Sequence, residues 1–423
     1  MTYYHRTIGE HPLSPETLML SYGYSPALSE GSIKCPIFQT STFVFKSAAE
    51  GKQFFEWAYG LSAPEEGQQI GLIYSRLNNP NIEILENRLC IYDGAEKAAV
   101  FSSGMAAIST TLLALTRPGD VIVYSDPIYG GSKHFLEKVM PGFGIKTLSF
   151  AATASQQEIR EVMTRAKAMG PIAAVHIETP ANPTNALVDI AALAALLPEF
   201  AQGDRRPQLT VDNTFLGPLW QQPLQHGADL VLYSLTKYVG GHSDLVAGAC
   251  MGDADKVGPV LAMRTFLGSM LDPHTAWLLM RSLETLAIRM TKASENAVVL
   301  ADMLRGHPKV EKVLFLGHLD PQSPEGLLYQ RQCKDPGSTF SVILKGGEAE
   351  AFRFLDALRI IKLAVSLGGT ESLASHPASM THADVSPEDK AAFGVSANLV
   401  RLSIGIENAG DLAADLAQAL MAV

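Results

Sequence analysis

Cysteine is scarce: four residues in 423, at Cys35, Cys90, Cys250 and Cys333, with no C-x-x-C pair and no histidine at metal-ligand spacing. Neither a disulfide framework nor a zinc site is indicated, no metal is expected, and buried free thiols are the natural reading. Basic charge is also short, since 33 Lys and Arg stand against 43 Asp and Glu, a net charge of -10. That balance speaks against a surface for nucleic acid or anionic lipid. Long apolar runs are missing too, because charges or glycine interrupt each one before it reaches membrane-spanning length. The first residues, Met1 to Thr7, contain no apolar signal core. A cytoplasmic protein that handles a small molecule is the resulting expectation.

Hydrophobic residues make up 47% of the chain and charged ones 18%, enough to bury a sizeable core, and 423 residues exceed one ordinary domain. Residues 1–72 carry little periodicity and many Pro, Gly and Ser, with a loop at Ser62 to Gln69. They read as an extended arm that lies against a neighbouring subunit. From residue 73 to 285, short apolar runs alternate with helix-length segments such as Met105 to Leu115. Ala98–Phe101, Asp120–Tyr124, Ala173–Ile177, Leu209–Val211 and Leu230–Tyr233 read as buried strands. This pattern predicts an α/β fold with a mainly parallel central sheet and ligand chemistry at the carboxyl ends of its strands. Pro273 to Leu304 reads as one long helix joining two domains. Residues 286–423 form a smaller C-terminal α+β domain, with strands at Phe340–Leu344 and Leu399–Ile404 and a closing helix from Asp411 to Met421.

Four pieces follow strand ends in order. Ser102 to Ile108 turns from strand to helix, so the N–H groups of Gly104 and Met105 can receive a phosphate. Tyr129 follows a strand on a loop, where its ring can stack on a flat ligand and its hydroxyl can move a proton. Asn182 and Asp212 stand at the mouth of the sheet, and an aspartate there can keep a pyridine nitrogen protonated. Ser234, Thr236 and Lys237 place two hydroxyls and an amine within one turn, suited to phosphate oxygens and to an imine. Taken singly, each has an ordinary explanation: a small-residue turn, a packed tyrosine, a helix cap, a surface lysine. Together and in this order they describe a site for a phosphorylated aromatic aldehyde, pyridoxal 5′-phosphate (PLP).

With E-T-P-A-N-P at 178–183 and S-L-T-K at 234–237, the sequence resembles the Cys/Met-metabolism PLP-dependent enzymes, a family that includes cystathionine γ-synthase, cystathionine γ-lyase and methionine γ-lyase. Tyr74-Ser-Arg76 followed by Asn79-Pro80 is similar to the family's Y-[ST]-R-x-x-N-P motif, whose Tyr and Arg reach the cofactor phosphate of an adjacent subunit. Segments at 366–372, 376–382 and 401–405 are similar to its C-terminal signature, in which Ser366 and Arg401, with Asn182, hold the substrate α-carboxylate. A guanidinium fork suits that task. The resemblance implies the aspartate aminotransferase-like, fold type I architecture and a homotetramer built as a dimer of active dimers.

The resemblance also implies an amino-acid substrate, with Lys237 carrying protons and Tyr129 acting as acid. The reaction it implies is γ-elimination of methionine or a related thioether amino acid. Gly131 stands where methionine γ-lyases typically carry Cys, and Arg264-Thr265 where they carry Lys-Asp. γ-Replacement on an O-acylhomoserine is the alternative within the family, and a non-catalytic PLP-binding regulatory protein the alternative outside it. The pocket around Gly131, Arg264 and Thr370 is expected to decide the leaving group.

Overall fold

Every residue of Val121–Asp126 and of Ile172–Glu178 is buried, the mark of strands covered on both faces. The computed structural model describes residues 4–65, 68, 71–383 and 385–423, so parts of the Met1–Thr7 segment and of the 62–69 loop lie outside the described residues. Seven strands form the larger sheet: β1 (Lys97–Phe101), β2 (Val121–Asp126), β3 (Lys146–Ala151), β4 (Ile172–Glu178), β5 (Gln208–Asp212), β6 (Leu230–Ser234) and β7 (Gly248–Gly252). Their spatial order is β1-β7-β6-β5-β4-β2-β3. All neighbours run parallel except β7, which is antiparallel to both β1 and β6.

The alternation of side chains along each strand divides them between two helical layers. Val121, Val123, Val175, Ile177, Leu209 and Val211 pack with Met163 and Leu193 from helices on one face. Ile122, Tyr124, Ala174, Leu230 and Leu232 pack on the other face with Ile108 and Leu112 of the helix Gly104–Leu115. The five strands expected in this region are all present. The sequence reading missed β3 and β7. The Gly-Ala-Cys-Met-Gly composition of β7 hides its character, and close packing demands it: a Cβ on Gly248 would lie 2.2 Å from the Ser103 carbonyl oxygen.

The smaller sheet holds β8 (Val310–Leu314), β9 (Thr339–Leu344), β10 (Lys362–Leu363), β11 (Leu373–Ser375) and β12 (Leu399–Ser403), in the order β8-β9-β12-β11-β10. Its central strand β12 carries Arg401, opposite Ser341 on β9 and Ser375 on β11.

Two expectations need correction. The long helix is two, Pro273–Leu283 and Leu286–Leu304. Buried Arg289 explains the break, since it donates from Nη2 to the Ser282 carbonyl at 2.9 Å and from Nε to Thr285 Oγ1 at 3.2 Å. The second helix still serves both cores, with Leu286 and Met290 in one and Leu300 and Leu304 in the other. The arm is also more ordered than expected. It contains an eleven-residue helix, Ala48–Ala58, whose N-cap Ser47 Oγ accepts from Glu50 N–H at 3.1 Å. That S-x-x-E signal is legible in the sequence. Leu18, Met19, Tyr22 and Tyr24 anchor the arm against the helix Pro80–Asp93, while Leu28, Ile33 and Val44 are 84%, 85% and 97% exposed.

Candidate active site

The candidate residues follow the ends of β1, β4, β5 and β6, and the segment after β4 reaches Arg401 on the central strand of the smaller sheet through Asn182. After β1, Ser103 caps the helix Gly104–Leu115, its Oγ accepting from Ala106 N–H at 2.9 Å. The first-turn N–H groups of Gly104 and Met105 have no acceptor within the helix by position. Glycine is required at 104, because a Cβ there would stand 2.8 Å from Ser234 Cβ. The helix N-terminus and the turn after β6 are thereby pressed together into a cradle suited to a phosphate.

Asp212 is buried, and its Oδ1 accepts from Thr214 N–H at 3.0 Å and from Thr214 Oγ1 at 2.6 Å. The same Thr214 hydroxyl accepts from Ser234 N–H at 2.9 Å, locking the end of β5 to that of β6. Burial pushes the Asp212 carboxyl above its usual range. Its register partner on β4 is Glu178, which burial, then the charge of Asp212, pushes up to about 8. Two adjacent buried carboxyls favour a cationic partner, such as a protonated pyridine nitrogen facing Asp212.

The amine of Lys237 donates to Ser366 Oγ at 3.0 Å. Burial, then the nearby positive charge of Arg401, pulls its pKa down to about 8, so a sizeable neutral fraction exists near neutral pH. Arg401 is 2% exposed and spans the gap between the two sheets. Its Nη1 donates to Asn182 Oδ1 and its Nη2 to the Ser366 carbonyl, both at 3.0 Å. Burial lowers the guanidinium to about 10, and it stays charged at neutral pH. A carboxylate arriving here would find a desolvated cation beside an amine that gives up its proton more readily than an ordinary lysine.

The chain matches the sequence model of the Cys/Met metabolism PLP-dependent enzymes over residues 16–421. This chain belongs to that family. It is 38% identical to L-methionine gamma-lyase of Pseudomonas deceptionensis, over 96% of this chain and 97% of that protein. It is 35% identical to O-succinylhomoserine sulfhydrylase of Pseudomonas aeruginosa, over 93% of this chain and 92% of that protein. The fold is similar to the crystal structure of cystathionine gamma synthase from Xanthomonas oryzae pv. oryzae, with a TM-score of 0.85 and 35% identity, covering 97% of this chain and 98% of that one. The protein is therefore a PLP-dependent enzyme with the fold type I architecture. A non-catalytic regulatory protein finds no support among these relatives.

The residues present fit PLP. The Gly104–Ser234 cradle, the buried Asp212 and the amine of Lys237 offer the phosphate, pyridine nitrogen and aldehyde a partner each. Thr236 is differently engaged from the sequence expectation, because its hydroxyl donates to the Ala247 carbonyl at 3.2 Å and accepts from Ala247 N–H at 3.0 Å. Tyr129 N-caps the short helix Gly130–His134, and its N–H donates to Glu178 Oε2 at 2.8 Å. Its ring occupies space left by Gly131, where a Cβ would lie 2.6 Å from Tyr129 Cε1 and 3.3 Å from Met105 Sδ.

Three expected participants lie apart from this group. Arg76 Nη1 donates to the Thr265 carbonyl at 2.8 Å, and its guanidinium sits 5.7 Å from the centre of the Tyr74 ring. Tyr74 itself is bridged to Thr42. Arg264 is engaged elsewhere: it is buried in an ion pair with Glu86 at 2.7 Å and donates to the Val100 carbonyl at 2.9 Å. Conversely, Glu178 and Thr214 received no role from sequence reasoning. Glu178 opens the E-T-P-A-N-P motif and Thr214 lies two residues after Asp212, but which groups their oxygens reach depends on the packing of neighbouring strands.

Among the described residues, no group of three His, Cys, Asp or Glu is placed to hold a metal ion, and no helix is long and apolar enough to cross a membrane.

Proposed function

We propose that this enzyme catalyses γ-elimination of methionine or a related thioether amino acid, with water, to a 2-oxo acid, ammonia and a thiol. The observation that carries the reading is the Lys237 amine, poised 3.0 Å from Ser366 Oγ beside the Arg401–Asn182 pair. A substrate carboxylate takes one N–H from each Nη of the Arg401 fork, beside Ser366 and Asn182, while the second Nη1–H stays on Asn182 Oδ1, and its Cα then stands near the lysine. Bound PLP supplies the electron sink that makes the Cα and Cβ protons removable. Neutral Lys237 takes the Cα proton and carries protons between neighbouring positions. Tyr129 gives its phenolic proton to the sulfur leaving Cγ. Asp212 holds the pyridine nitrogen protonated, and Gly104, Met105 and Ser234 hold the phosphate, joined by Thr236 once its hydroxyl turns from the Ala247 carbonyl. The 38% identity to an L-methionine gamma-lyase supports this choice of reaction.

Tyr74 and Arg76 complete the phosphate site of an adjacent subunit, consistent with their bonds away from Lys237 and with the exposed apolar residues Leu28, Ile33 and Val44 of the arm. The unit is a cytoplasmic homotetramer made of two active dimers, with residues 1–72 as the arm, 73–285 as the cofactor domain and 286–423 as the small domain.

γ-Replacement on an O-acylhomoserine is the second reading, favoured by glycine rather than cysteine at 131 and by the sulfhydrylase relative. Turnover of methionine, cystathionine and O-acylhomoserines, with and without added thiol, separates the two. We expect 2-oxobutanoate and methanethiol in equal amounts from methionine. Thiol-dependent product from O-acylhomoserine, with no 2-oxobutanoate from either thioether, would overturn elimination as the physiological reaction.

A further inference from the structure

Glu178 takes no part in the steps proposed above, yet it is a polar group only 5% exposed, buried at a cost that apolar packing would not incur. Its two oxygens hold two different loops: Oε2 accepts from Tyr129 N–H and Oε1 from Asn182 N–H, each at 2.8 Å. Its own N–H donates to Ser125 Oγ at 3.1 Å, on the strand that leads into Tyr129. Asn182 in turn holds Arg401 through Oδ1 at 3.0 Å. One rigid, planar carboxyl thus ties the loop that bears the phenol to the loop that steadies the guanidinium. The Tyr129 loop is confined from its other side as well, since a Cβ on Gly130 would stand 2.2 Å from the Thr381 carbonyl oxygen.

We infer that Glu178 is a positioning residue that sets the separation between the Tyr129 phenol and the Arg401 fork, so that a substrate held by its carboxylate presents its Cγ substituent to the acid. This rests on the proposed roles of Tyr129 and Arg401. The geometry assigns Glu178 to the Cγ half of the reaction more than to the Cα half. Proton removal at Cα needs Lys237 and Arg401, whereas departure from Cγ needs the phenol at the right distance as well.

The test is Glu178→Gln in the holoenzyme, after its cofactor absorbance and melting temperature are matched to the parent. Glutamine keeps the shape but offers one acceptor where two N–H groups must be held. Two rates are compared: elimination from methionine, and exchange of the Cα proton of norleucine, which has no leaving group, into deuterated water. The expected result is about a 10²-fold loss of elimination, the scale of a misplacement of about 1 Å, with Cα exchange reduced less than tenfold. Equal loss of both, the signature of a merely structural role, or loss of neither, overturns the inference. If Glu178→Gln does not fold, the same pair of rates in Glu178→Asp, which keeps the carboxyl but shortens the reach, decides it by the same criteria. Tyr129→Phe is run alongside: unimpaired elimination in that variant overturns the acid role of Tyr129 itself, and is thereby distinguished from failure of Glu178 alone.

Discussion

The Lys237 amine and the Ser366 hydroxyl stand 3.0 Å apart although 129 residues separate them in the chain. The contact joins the turn after β6 to the segment that precedes β11, so the amine is held at the junction of the two sheets. Arg401 grips the carbonyl of the same Ser366 at 3.0 Å. The same cation, together with burial, lowers the pKa of the lysine.

That arrangement predicts how cofactor loading depends on pH. Only a neutral amine condenses with an aldehyde, and the Lys237 pKa lies near 8. The rate at which apoenzyme regains its absorbance band should rise about tenfold per pH unit below 8 and level off above it. Lys237→Ala should give no borohydride-stable attachment of PLP. A rate still climbing steeply above pH 9 would show that the lysine has an ordinary pKa.

Arg401→Lys should fold, since the charge remains, but it loses the two-pronged grip on Asn182 and Ser366. A single ammonium is not equivalent to a fork at such a site. We expect kcat/KM for amino-acid substrates to fall about 10²-fold, in line with loss of a charge-assisted hydrogen bond or more. Spectral titration with a non-reacting amino acid checks this, because its affinity should fall in parallel.

Gly131→Ala adds one methyl group where the Tyr129 ring already lies, with the new Cβ 2.6 Å from Cε1. The ring must move, and elimination should fall about 10-fold or more while cofactor content stays at the parent level. Steady-state kinetics beside the absorbance ratio reads both quantities. An unchanged kcat would mean that the ring position is immaterial to catalysis.

If Arg76 serves a neighbour, Arg76→Ala and Lys237→Ala, each nearly inactive, should complement one another. Hybrids formed by mixing the unfolded subunits and refolding them should recover up to about a quarter of parent activity under random pairing. Hybrids as inactive as either parent would place Arg76 in its own subunit's machinery.

Much of this site was legible one residue at a time. Gly104, Asp212 and Lys237 each follow a buried apolar run, and the strand ends of an α/β sheet are where ligands collect. Arg264 misled, because its position in the sequence says nothing of Glu86, the partner that holds it in the core. Thr236 was half legible: its place beside Lys237 was evident, but not that the Ala247 backbone occupies its hydroxyl.

By itself the sequence determined the parallel strands, through their unbroken apolar runs, and the order of motifs that demands PLP. Those signals are local, set by the alternation of side chains and by the backbone needs of small residues. Only the tertiary structure decided the partners. Arg401 reaches Asn182 across 219 residues and Glu178 reaches Tyr129 across 49, because strand order and the docking of one sheet on another decide which buried polar groups face each other. Burial then requires those groups to pair. That is how a carboxyl with no visible task in the sequence came to stand between the Tyr129 loop and the Asn182 loop.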